Sequence, residues 1–95
     1  MSSKDAYQQK LQAQLEEWDA KVDQLKAKAK QASADARIEY EDQLGDLSAR
    51  QQAAREKLNE LKAASDDAWE DMRSGVEAAW KRLGDSVQSA YSRFM

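Results

Sequence analysis

The sequence predicts an all-α protein made of long helices, and three observations lead there. The chain of 95 residues contains no Pro, the residue that most strongly breaks a helix by removing a backbone donor and crowding the preceding turn. Ala, Leu, Glu, Lys and Arg supply about half of the residues, the composition of coiled coils and long helices. Apolar residues recur at helical spacing along nearly the whole length,. The expected architecture is an antiparallel coiled coil or helical hairpin within one domain. Its first helix spans about residues 4–63 and its second about 66–94. The alternative is a three-helix bundle with an added turn near Ser33.

The first region, residues 1–64, is heptad-like. Over 4–32 the apolar positions are Leu11, Leu15, Trp18, Val22, Leu25, Ala29 and Ala32. They step alternately by four and three, which keeps them on one seam. Ser3 and Asp5 both suit the N-cap of this helix. Glu17 and Lys21 form an i,i+4 pair in the favourable order. The stripe continues through Ala36, Tyr40, Leu44, Leu47, Gln51, Ala54, Leu58 and Leu61. The steps entering it contain one residue too many for a heptad, which loosens a left-handed supercoil locally. Gly45 lies inside it and softens the helix by about 1 kcal/mol relative to Ala. Small and polar residues make the seam weakest from Ser48 to Arg55.

Two stretches offer turns. Ala63-Ala64-Ser65-Asp66-Asp67 is the stronger, because Ser65 or Asp66 can cap and the following acids suit a helix N-terminus. Gln31-Ala32-Ser33-Ala34-Asp35 has a Ser, but its Ala-rich flanks can also remain helical. Each stretch separates charge blocks of opposite sign, Lys21–Lys30 from Asp35–Asp46 and Arg50–Lys62 from Asp66–Asp71. Folding back at either brings plus against minus. The same charges also serve simply as solvated faces, and exposed ion pairs contribute little.

The second region, residues 65–95, repeats every eleven residues. Ala68-Trp69, Ala79-Trp80 and Ala90-Tyr91 open successive copies. Eleven residues make three turns at about 3.67 residues per turn, so each copy lands on one face. The resulting stripe is Trp69, Met72, Val76, Trp80, Leu83, Val87, Tyr91 and Phe94. It is the most hydrophobic surface the sequence offers, and it is the candidate interaction face. The heptad seam of Leu11, Leu15, Trp18, Val22, Leu25, Tyr40, Leu44, Leu47, Leu58 and Leu61 is the candidate partner for it. A second helix or another copy of the chain can cover the stripe. A lipid or granule surface is the other possible cover, since amphipathic repeats with Trp on one face suit an interface. The polar face is only weakly basic, however, and the four acids at 66–71 repel anionic lipid.

The hydrophobic share of 41% overstates the core, because many of those residues are Ala. A thin seam on a small chain buries little by itself, which leads to an expectation of a homo-oligomer. The chain has no His and no Cys, so the usual general base and thiol nucleophile are missing. Its glycines are isolated, with no phosphate-binding loop, and no Glu-x-x-His pair offers a bundle metal site. The expectation is therefore no enzyme, no catalytic residue, no metal and no cofactor. A net charge of −3 and a pI near 5.0 argue against nucleic acid as partner,. The polar opening Met1 to Lys10 lacks the apolar core of a signal peptide. No apolar run of about 18 residues could cross a membrane. The cytoplasm is the expected location.

The strings KLQAQLEEWDAKVDQLKAKA, DARIEYEDQL and AWEDMRSGVEAAWKRL resemble a family of small bacterial coiled-coil domain-containing proteins. That family includes a stress-response subgroup with a cyanobacterial namesake. The resemblance covers nearly the whole chain. Its most specific parts are Leu-x-x-Gln-Leu-x-x-Trp at 11–18 and Ala-Trp at 68–69. Ser65 stands where similar sequences often carry Gly, and Gly45 is a departure from the family pattern. The resemblance implies a soluble bacterial protein with a stress-linked structural or adaptor role. It brings no catalytic residue and no ligand.

Overall fold

The computed structural model describes residues 3–95. The chain is all-α, as its composition and periodicity predict. The helices are α1, Ser3–Gln31, α2, Ala34–Ala63, and α3, Ala68–Phe94. They run up, down and up. Trp80 meets Leu11 and Gly84 meets Trp18, so α1 and α3 are parallel. Asp19 meets Gln51, and Tyr40 meets Phe94, so α2 opposes both.

The single helix expected over 4–63 is not formed. It is broken at Ala32–Ser33, and the arrangement is the three-helix alternative with its turn at Ser33. A continuous helix of that length would reach roughly 90 Å at about 1.5 Å per residue, whereas the longest extent is 51 Å. The cause of the break is partly local. Ser33 takes an extended backbone, and its hydroxyl accepts from Ala36 N at 3.4 Å. The Arg37 guanidinium donates to the Lys30 carbonyl at 3.1 Å, satisfying the end of α1,. The larger cause is burial. The extra residue entering the 36–44 stripe would carry a continuous seam off its face. Folding back instead lays Leu47, Leu58 and Leu61 against Leu11, Leu15, Val22 and Leu25 in one core.

The second turn falls where predicted. The Ser65 hydroxyl accepts from Ala68 N at 3.2 Å, while Asp67 makes no side-chain cap. Ser3 and Asp5 both lie inside α1 rather than ahead of it. The charge blocks flanking the turns contribute little. Among the described residues, no ion pair joins 21–30 to 35–46 or 50–62 to 66–71. Pairs that cross between helices include Arg55–Asp19 at 2.9 Å and Arg93–Glu39. The Glu17–Lys21 pair forms within α1 at 3.9 Å.

Candidate interaction surfaces

The stripe marked out by the eleven-residue repeat faces inward. Trp69, Val76, Trp80, Leu83 and Val87 are buried, and Met72, Tyr91 and Phe94 are half-buried. The heptad seam closes over it. Leu11, Leu15, Val22, Leu25, Tyr40, Leu47, Leu58 and Leu61 are buried, with Trp18 and Leu44 half-buried. Full burial of a Leu or Val contributes about 1.5–3 kcal/mol, so this closure dominates the stability of the bundle. The aromatic residues also set its register. The buried Trp80 indole donates to the Leu11 carbonyl at 3.2 Å, locking α3 to α1. At the far end Tyr40 stacks on Phe94 with ring centroids 4.0 Å apart.

What remains outside is mostly polar, apart from Ile38 and the terminal Met95, and it carries several shallow grooves. A groove of about 700 Å³ runs between α1 and α3. Trp18 lies across it, its ring edge 2.8 Å from where a Cβ on Gly84 would stand. A side chain at position 84 would therefore displace the ring. Lys21 places its ammonium 5.5 Å from the centre of the Tyr91 ring, within cation–π range. Lys81 and Asp85 supply the remaining charge along the rim.

The opposite end of the α1–α3 seam carries a second polar cluster. Tyr7 donates to Glu77 Oε1 at 3.3 Å, and Arg73 reaches the same oxygen at 3.1 Å. The Arg73 guanidinium lies 5.2 Å from the Tyr7 ring centre and 6.0 Å from that of Trp69. Partial burial, then the Glu77 charge, push the Tyr7 phenol above its ordinary value. Glu77 also raises Arg73, first through their hydrogen bond. The cluster latches the start of α1 onto α3. Its groups are engaged with one another through these hydrogen bonds and ring contacts.

Three features were not read from the sequence. Gln51 is buried, and its amide donates to Asp19 Oδ1 at 2.6 Å, while Arg55 holds Asp19 Oδ2 at 2.9 Å. A Gln on an apolar seam demands such a partner; the identity of Asp19 emerges only once the chain folds back. Lys4 donates to the Lys62 carbonyl at 3.2 Å and also to that of Ala64, a cation at a helix C-terminus. Ile38 breaks the polar outer face of α2; standing alone off the seam, it belongs to no apolar repeat. Among the described residues, no group of His, Cys, Asp or Glu is placed to hold a metal ion. No helix among them is long and apolar enough to cross a membrane. No family model matches this chain, and neither a curated protein nor a solved structure matches it.

Proposed function

We propose that the chain is a non-catalytic helical protein that works through contacts with other proteins. Its role would be structural or adaptor-like, in a bacterial cytoplasm. The observation that carries this reading is the inward placement of the α3 stripe. Trp69 and Trp80, the residues best suited to anchor a helix in lipid, are 5% and 4% exposed. They are spent on the core, so partners meet a charged helical surface and the α1–α3 groove. The stress link rests on the resemblance of the 11–18 and 68–69 segments alone.

A second reading has α3 leaving the bundle to lie on a lipid or granule surface. The one-sided apolar face of α3 favours it. Tryptophan fluorescence separates the two. In a Trp18→Phe variant only Trp69 and Trp80 report. The protein-contact reading predicts a spectrum already blue in buffer and unchanged by neutral or anionic vesicles. A blue shift on adding vesicles, with helicity retained, would overturn it.

A further inference from the structure

Two surface features are left unused by the bundle. The first is on α2. Ile38 is 63% exposed, and among the described residues only Met95 at the chain end is also a large exposed apolar side chain. Ile38 precedes the buried Tyr40 by two residues, about 200° around the helix, so it points directly away from the core. Asp35 and Asp42 share that outer face and are exposed, while Glu41 and Arg37 lie on its α1 flank beside Lys26 and Lys30. Gly45, two turns along, has nothing within 4 Å of where its Cβ would stand. No contact inside the chain requires a glycine there, although it costs about 1 kcal/mol relative to Ala in a helix. The face thus combines an apolar knob, an acidic rim and a flat spot where another helix can approach closely.

The second feature is the α1–α3 groove. Edges of Trp18 and Tyr91 line it, and Lys21 and Lys81 flank it with Asp85; Lys21 is also loosely paired with Glu17 at 3.9 Å. None of its lining comes from α2, so it opens on the opposite side of the bundle from Ile38. The two features lie at similar heights. Tyr40 stacks on Phe94, and Phe94 is one turn beyond Tyr91, which places Ile38 within about two turns of the groove.

We infer that the Ile38 face of one copy docks into the α1–α3 groove of a second copy. The chemistry is complementary in both terms. The aliphatic knob meets half-buried aromatic edges, and Asp35 and Asp42 meet the Lys21–Lys81 rim. Because the two surfaces differ and face opposite ways, the contact is head-to-tail and leaves one of each open. Copies therefore add in rows rather than closing as a two-fold dimer. This rests on the reading of the chain as a protein-contact module. It replaces the seam as the source of self-association, because the seam is already covered within the chain.

Sedimentation velocity over a range of concentrations and salt tests it. The intact chain should exceed its monomer mass of 10.8 kDa, grow with concentration without a ceiling, and shrink as salt rises. Ile38→Lys and the double variant Lys21→Glu/Lys81→Glu should each sediment as monomers with unchanged helical circular dichroism. Mixed in equal amounts, they should form a dimer and nothing larger, since one keeps its groove and the other its knob. A wild-type chain that stays monomeric, or variants that assemble like it, would overturn the inference. So would a mixture that stays monomeric while the wild type assembles. None of these outcomes touches the functional reading, which fails only if vesicles shift the fluorescence.

Discussion

At the scale of single residues, the glycines show how context decides the sign of a substitution. Gly75 has nothing within 4 Å of a built Cβ, whereas Gly84 would put that atom 2.8 Å from the Trp18 ring. Gly75→Ala should therefore raise stability by up to about 1 kcal/mol through helix propensity. Gly84→Ala should forfeit that gain, leaving the thermal midpoint at or below wild type. In a Trp18→Phe background the penalty at position 84 should shrink. The buried Gln51 gives a second test. Asp19→Ala strips its partner and should cost roughly 1–3 kcal/mol. Gln51→Leu removes the need for one and should be near neutral or stabilising, with register specificity lost. Urea denaturation reads both; a loss in Gln51→Leu as large as that in Asp19→Ala would contradict this asymmetry. Tyr7 gives a pH test. Its pKa is raised above 10.0 in the folded chain, so its contribution is fully present below the unfolded value. It is lost as pH climbs through the folded one. Stability should fall as pH passes 10, and less steeply in Tyr7→Phe.

At the scale of elements, the legible and the illegible parts separate cleanly. The α3 face was readable because eleven-residue spacing fixes one side of a helix whatever covers it. The heptad seam was readable for the same reason, and its departures, Trp18 and Leu44, are half-buried at the edge of the core rather than misplaced. The turn at Ser65 was readable from a Ser followed by acids. The break at Ser33 was visible only as an alternative. Its Ala-rich flanks carry high helix propensity, and the deciding term is burial against residues far away in sequence. Ser33→Ala should accordingly cost about 1 kcal/mol, the loss of one N-cap, without joining α1 to α2. Thermal melts give the cost, and a helix content unchanged by the substitution would show that the break persists. The cover for the α3 stripe was likewise open between protein and lipid, because amphipathicity gives a helix one apolar side but not the identity of what lies against it. The Ile38 face was missed because a lone apolar residue off the seam carries no periodic signal.

At the scale of the whole molecule, the central claim is that one chain covers its own apolar stripe by folding twice. Self-association was expected because a long one-sided helix cannot hide its seam alone. With α1, α2 and α3 packed together that argument no longer applies, and assembly has to come from surfaces such as Ile38 and the groove. The shape is the direct discriminator. The bundle has a radius of gyration of 15.3 Å and extents of 51 × 19 × 18 Å, while an unbroken first helix spans roughly 90 Å. Small-angle X-ray scattering, extrapolated to zero concentration to remove assembly, measures both quantities. The account predicts a rod with a radius of gyration close to 15.3 Å, slightly enlarged by hydration. A maximum dimension approaching about 90 Å at infinite dilution, at the rise of a continuous helix, would contradict it.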